Sequence, residues 1–67
     1  MTLKEALDFV DIGHQSILLS DKDGNEYSYN YLYLFEEDTE TYNKLLPLEV
    51  TSIDADGWND TTVFYLW

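Results

Sequence analysis

The first segment of the chain repeats apolar residues at the spacing of an α-helix. The stripe consists of Leu3, Ala6, Leu7 and Val10. Thr2 and Glu5 have the spacing of a capping box, in which the threonine hydroxyl accepts the Glu5 amide and the glutamate accepts the Thr2 amide. The pattern predicts a helix from Leu3 to Val10, ended by Gly13. Because so short a helix is unstable alone in water, we expect its stripe to lie on a sheet.

The stretch from Ile17 to Phe35 has the pattern of a β-hairpin. An apolar strand, Ser16–Ser20, leads into a turn at Asp21–Asn25 that has Asp-Gly at its centre. The returning strand is predicted from Tyr27 to about Tyr31. Tyrosines continue at every second position as far as Tyr33, so an extended chain would carry them all on one aromatic face.

A run of charged and polar residues, Glu36–Thr41, separates this hairpin from the second half of the chain. Such a run is expected to be exposed. The segment from Asp38 to Leu46 is compatible with either one helical turn or a loop. Pro47 ends any helix there, because proline disfavours helical geometry in the residue before it.

The last third of the chain predicts a second hairpin. A strand rich in β-branched residues, Leu48–Asp54, is followed by a turn at Asp56–Asp60 and a final strand at Thr61–Trp67. The whole chain is then one α+β domain, residues 1–67, with an N-terminal helix packed on a four-stranded, mainly antiparallel sheet built from two hairpins. The expected core residues are Leu3, Leu7, Val10, Tyr29, Tyr31, Val50, Val63 and Tyr65.

The small size of the chain limits its core. A domain of 67 residues buries only about 60% of the surface that its unfolded chain exposes. No cysteine is present, and with a single histidine the usual zinc sites are excluded. Aromatic packing and oligomerisation are the remaining means of reinforcing so small a scaffold, and the sequence is compatible with a homodimer.

The charge of the chain is strongly one-sided. Fourteen acidic residues face three lysines and no arginine, for a formal net charge of −11. Direct binding to nucleic acid or to an anionic membrane is not expected, because both require cationic side chains. The expected partner is a basic protein. The N-terminal segment lacks the features of a signal peptide and no apolar run is long enough to span a membrane, so we expect a cytoplasmic location.

The first turn resembles the opening of a calcium-binding EF-hand loop. Asp21, Asp23 and Asn25 occupy loop positions one, three and five. Position six is Glu26 where the loop needs glycine, and position twelve is Leu32 where it needs a bidentate glutamate. A polar hairpin turn is therefore the preferred interpretation and no cofactor is expected, with weak calcium binding by clustered carboxylates as the alternative.

No catalytic motif is evident. His14 lies beside Gly13, and no serine or cysteine nucleophile stands in a recognisable motif. We interpret His14 as a loop residue and the protein as one without enzymatic activity.

The acidic residues form three clusters in the sequence. They are Asp21, Asp23 and Glu26; Glu36, Glu37, Asp38 and Glu40; and Asp54, Asp56 and Asp60. Carboxylates on alternate residues of a strand are about 6.6 Å apart, and each DNA strand presents one phosphate per roughly 3.4 Å of axis. The clusters, together with Trp58, are the candidate partner-binding residues, and a solvated face that only confers solubility is the alternative.

Several segments resemble small acidic proteins encoded by phages and prophages of Gram-positive bacteria. The resemblance rests on residues 2–7, on the first Asp-Gly hairpin, on Glu49–Ile53 and on Thr62–Leu66. Asp23–Tyr27 and Gly57–Asn59 are similar to short segments of an anti-CRISPR inhibitor of the class that occupies the DNA-binding groove of Cas9. The resemblance implies a phage accessory protein, and it transfers no binding residue.

These observations predict a non-enzymatic inhibitor that imitates nucleic acid and binds a basic host protein, such as a CRISPR nuclease. The alternative is a structural or regulatory phage protein that binds through its aromatic face, with the charge serving solubility. The two differ in their response to salt, since charge-driven binding weakens with ionic strength and aromatic burial does not.

Overall fold

The computed structural model describes residues 1–9 and 15–67. Three helices and four strands follow one another along these residues. In chain order they are α1 (Leu3–Phe9), β1 (Ser16–Ser20), β2 (Glu26–Tyr29), α2 (Leu32–Glu37), α3 (Thr39–Leu45), β3 (Val50–Asp56) and β4 (Thr61–Leu66). The predicted helix end at Val10, the stop at Gly13 and the loop position of His14 lie outside the described residues.

The four strands form one sheet in the order β2-β1-β4-β3. Each predicted hairpin is present as an antiparallel pair, β1 with β2 and β3 with β4. The two hairpins join through β1 and β4, which run parallel. The predicted α+β class and the mainly antiparallel sheet are confirmed, and the parallel central pair makes the sheet mixed.

The N-terminal helix is held by the predicted capping box. The Thr2 amide donates to Glu5 Oε1 over 3.0 Å, and the Glu5 amide donates to Thr2 Oγ1 over 3.3 Å. Leu3 and Ala6 are fully buried, and the Leu3 amide donates to the carbonyl of Leu48 over 2.8 Å. The start of the helix is thereby fixed to the segment that leads into β3.

The predicted alternation of tyrosines ends at Tyr29. The chain leaves β2 there, passes through a bend and begins α2 at Leu32, so Tyr31 and Tyr33 do not belong to a strand. The segment from Asp38 to Leu46, for which the sequence allowed either a helical turn or a loop, is mostly helical. Helix α3 covers Thr39–Leu45 and ends before Pro47. The strand predicted from Leu48 begins at Val50 instead.

All three helices pack on the same face of the sheet. The core they enclose consists of Leu3, Ala6, Ile17, Leu19, Phe35, Leu45, Phe64 and Leu66. Phe35 of α2 is fully buried, with its ring centroid 5.2 Å from that of Tyr29 and 5.1 Å from that of Tyr42.

Two of the expected core residues are exposed. Tyr31 is 45% exposed because it precedes α2 instead of extending β2. Tyr65 is 41% exposed because it alternates with Phe64 and Leu66, whose side chains occupy the helix-covered face. The other expected core residues within the described ranges are buried or half-buried, namely Leu3, Leu7, Tyr29, Val50 and Val63.

The opposite face, which we call the open face, carries no described helix. Its middle row aligns Ser28, Leu18, Val63 and Asp54 across the four strands. In the described ranges, no helix is long and apolar enough to cross a membrane.

Candidate protein-binding surface

Asp21 organises the turn between β1 and β2. Its Oδ1 accepts the backbone amides of Asp23 and Asn25, each over 2.9 Å, and its Oδ2 accepts the Asn25 side-chain amide over 3.1 Å. These hydrogen bonds, led by the Asn25 side chain, lower the pKa of Asp21. Gly24 has a φ of 84°, a conformation that glycine adopts without steric cost. The interpretation of this segment as a polar hairpin turn is confirmed.

The turn between β3 and β4 uses an aspartate in the same way. Asp56 Oδ2 accepts the Asn59 side-chain amide over 2.7 Å, and its Oδ1 accepts the amides of Trp58 and Asn59. The Asn59 side chain is the main cause of the lowered pKa of Asp56. Trp58 projects from this turn and is 98% exposed.

Asp60 ends the same turn in a left-handed conformation. Its φ is 49°, and aspartate tolerates this left-handed region better than most residue types do. Its carbonyl accepts the Ser16 amide over 3.0 Å, which ties the turn to the start of β1. The Asp60 backbone is therefore structural, whereas its carboxylate is exposed.

The third cluster lies on the two central helices. Glu36 and Glu37 end α2, and Glu40 is in the first turn of α3. Asp38 stands between the helices, where its Oδ2 accepts the Tyr29 hydroxyl over 2.7 Å. The phenol lowers the pKa of Asp38, and burial followed by the neighbouring carboxylate raises the pKa of Tyr29. All four acids are exposed, as the sequence predicts for this run.

The three clusters occupy different parts of the molecule. The turn of Asp21 and Asp23 follows the carboxyl end of β1, and Asp60 lies at the amino end of the same strand. Glu26 and Asp54 lie on the open face, on the two outer strands, which are about 14 Å apart at the usual strand spacing. The candidate residues therefore form a surface spread around the molecule and not one compact site.

Within the described residues, none of the candidate carboxylates forms an ion pair with a cation. The ion pair found in residues 1–9 and 15–67 joins the N-terminal amine of Met1 to Glu49 Oε2, over 2.9 Å. This contact raises the pKa of the amine, chiefly through its hydrogen bond to Glu49. Lys44 instead approaches the Tyr27 hydroxyl at 3.4 Å and lies 5.8 Å from the centroid of its ring. The negative charge thus faces solvent largely without internal compensation.

A cleft of about 270 Å³ lies beside the first turn. Its lining includes Asp21 and Asp23, two of the three lysines, Lys22 and Lys44, and the side chain of Trp67. Charges of both signs therefore meet in this cleft. Across the part of the chain that the structure describes, no group of three or more carboxylate or imidazole side chains is arranged to hold a metal ion.

One surface feature was not predicted from the sequence. The rings of Tyr31 and Tyr33 stack on each other, with centroids 5.7 Å apart and planes inclined by 11°, and the two residues are 45% and 55% exposed. The alternation of tyrosines suggested a strand, but Leu32 and Phe35 already have a helical i,i+3 spacing that places Tyr33 on the outer side. We call these two residues the tyrosine pair.

Comparisons with protein-family models, with curated proteins and with solved structures found no match. The likeness to small acidic phage proteins therefore stays a prediction from the sequence.

Proposed function

We propose that this chain is a non-enzymatic inhibitor that binds the nucleic-acid-binding surface of a basic host protein in the host cytoplasm. The single observation that supports the proposal is the unneutralised acidic surface. Of the acids within the described residues, all are exposed except Asp21 and Asp56, which are half-buried. A surface of this kind attracts a cationic groove over a distance set by the ionic strength.

The hydrogen bonds divide the candidate acids into two groups. Asp21, Asp38 and Asp56 hold turns and helix junctions, so their replacement would change the backbone as well as the charge. The acids available for a partner are Asp23, Glu26, Glu36, Glu37, Glu40, Asp54 and Asp60. In our proposal these exposed carboxylates stand in for phosphates of a nucleic-acid backbone.

The phage origin and the choice of a CRISPR nuclease as target rest on the sequence resemblance alone. They enter the proposal as the first target to test. Competition with DNA for a basic protein follows from the charge and does not depend on the identity of that protein.

A triple substitution tests the proposal without damaging the fold. Glu36→Gln, Glu37→Gln and Glu40→Gln remove three charges from the helix layer and retain Asp38 for its bond to Tyr29. A second triple variant with the same charge change, Asp23→Asn, Glu26→Gln and Asp60→Asn, removes candidate acids from the two turns and the open face. Asparagine at position 60 suits the left-handed backbone there.

Binding of the immobilised protein to a purified Cas9 nuclease, and to a panel of other basic DNA-binding proteins, is then measured at about 50 and about 200 mM salt. We expect binding that falls steeply with salt and that weakens at least about tenfold, or about 1.4 kcal/mol, in the helix-layer triple variant. Comparison of the two triple variants shows which acids a given target contacts. Binding that is indifferent to salt and to both triple variants would contradict the proposal.

The exposed tryptophan supports the alternative of an accessory protein that binds through aromatic side chains. Trp58 is almost fully exposed at the tip of a turn. If a partner is retained at high salt and is lost on Trp58→Ala, the aromatic alternative is correct and the charge serves solubility.

A further inference from the structure

We infer that the tyrosine pair and the neighbouring glutamates of α2 form a docking surface for arginine side chains of the basic partner. The inference rests on the proposed function and specifies the partner chemistry at one part of its surface. It depends on the position of the rings relative to the carboxylates, not on the number of acids.

The first step concerns which groups share one side of α2. Tyr33 is the second residue of this helix, and Glu36 and Glu37 follow it by three and four positions. Side chains at these spacings lie on the same helix face with Cβ atoms about 5–6 Å apart. All three residues are exposed. A cation placed over the Tyr33 ring is therefore within reach of a carboxylate.

The second step concerns the rings themselves. Tyr31 stacks on Tyr33 with nearly parallel planes, so the two rings support each other's orientation, and each residue remains about half exposed. In the part of the chain covered by the structure, the cation–π contact is between Lys44 and Tyr27. No cation within the described residues lies over a ring of the tyrosine pair, and aromatic faces attract cations.

The third step distinguishes this patch from the other exposed aromatic residues. Trp67 lines the cleft together with Lys22 and Lys44, whose charge repels a basic partner. Trp58 is a single ring, since within the described residues no second aromatic ring packs on it, and the carboxylate of the nearby Asp56 is occupied by Asn59. The tyrosine pair is followed by carboxylates that the scaffold does not use, and no lysine occurs between Tyr31 and Glu40.

Arginine fits this arrangement better than lysine does. Its planar guanidinium stacks on an aromatic face while its edge donates hydrogen bonds to a carboxylate, and it is more weakly hydrated than an ammonium group. Uniform electrostatic attraction does not require a ring. If the protein binds arginine more tightly than lysine, and this preference is lost when the two tyrosines are replaced, the loss measures the contribution of the tyrosine pair.

The test measures the affinities of octa-arginine and octa-lysine peptides at equal ionic strength. We expect the wild-type protein to prefer octa-arginine. In the double variant Tyr31→Leu, Tyr33→Leu this preference should fall about two- to fivefold, with octa-lysine affinity near its original value. The variant Tyr31→Phe, Tyr33→Phe keeps the rings and should keep the preference. Tyr65→Leu, which removes an exposed tyrosine from the open face, is the matched control and should also keep it.

The outcomes separate the two proposals. If neither peptide binds at about 50 mM salt, both the proposed function and the arginine surface are wrong. If both peptides bind with salt-dependent affinity but the preference survives in the leucine variant, only the arginine surface is wrong. Loss of the preference in the phenylalanine variant would also overturn it, because the hydroxyl groups and not the ring faces would then be responsible. Circular dichroism of each variant shows that the fold is retained.

Discussion

The aspartates of this surface have two distinct roles. Asp21, Asp38 and Asp56 each accept hydrogen bonds that fix a turn or a helix junction, and each has a lowered pKa. Others, such as Asp23, are exposed in the same turns. Substitution of the second group therefore changes the external charge without removing the hydrogen bonds that the first group accepts.

The pKa of Asp38 tests the role of one such residue. The Tyr29 hydroxyl lowers it below the ordinary value of 3.8. A lowered carboxyl pKa contributes stability that is present above the unfolded-state value and is lost as the pH falls through the folded-state value. We expect Tyr29→Phe to move the pKa of Asp38 up toward 3.8, as followed by carboxyl-carbon NMR titration. Asp56, which is held by Asn59, should not move. An unchanged Asp38 titration would show that this hydrogen bond is not formed in solution.

The sequence of α2 carries both a helical periodicity and the alternating pattern of a strand. On an extended chain, Tyr33 and Phe35 would share one face, because they are two residues apart. On α2 they point in different directions, and Phe35 is fully buried while Tyr33 is 55% exposed. The difference in burial between Phe35 and Tyr33 therefore distinguishes a helix from a strand at this position.

Phe35→Ala should lower the free energy of unfolding by about 3–5 kcal/mol, because it leaves a cavity between Tyr29 and Tyr42. Tyr33→Ala should change it by no more than about 0.5 kcal/mol, as for most surface substitutions. Denaturant titration of both variants makes the comparison. Similar losses in the two variants would favour a strand at this position and contradict α2.

Leu3→Ala provides a second comparison within one element. Leu3 is fully buried against the sheet, whereas Leu7 is only half-buried. Leu3→Ala should cost about 2–5 kcal/mol in the free energy of unfolding, and Leu7→Ala clearly less. An equal or larger loss in Leu7→Ala by denaturant titration would mean that α1 lies on the sheet in a different orientation.

Local patterns predicted the hairpins and the first cap, and non-local packing determined the rest. The Asp-Gly turn and the Thr2–Glu5 box depend on neighbouring residues, so sequence reasoning located both. The core face of β4 was assigned wrongly at Tyr65, since the run from Val63 to Leu66 is apolar throughout and does not alternate. Its orientation follows from pairing with β1, where Leu19 is opposite Phe64. The candidate acids were found from composition, but the tyrosine pair depends on the helix that follows Tyr31.

The whole molecule concentrates its charge in a small volume. A net charge of −11 is carried by a chain whose principal extents are 26 × 23 × 23 Å. Self-repulsion of this kind lowers the stability of the compact state, and salt screens it.

Salt should therefore stabilise the free protein while it weakens binding to a basic partner. A gain of about 1 kcal/mol between low salt and about 0.2 M would raise the Tm by about 4–8 °C for a domain of this size. The triple variant Glu36→Gln, Glu37→Gln, Glu40→Gln should show a smaller rise, because less charge remains to be screened. A Tm that falls with salt in calorimetry would mean that attractive pairs, and not repulsion, dominate the surface.

Competition with DNA tests the central claim most directly. A basic DNA-binding protein retained by the immobilised chain at low salt is titrated with duplex DNA, and the amount that remains bound is measured. If the acidic surface occupies the nucleic-acid-binding groove, DNA should displace the partner completely, and a higher density of immobilised chain should raise the DNA concentration required. A partner that stays bound at saturating DNA, as a complex of all three, would show that the chain binds elsewhere and would contradict the proposed imitation of nucleic acid.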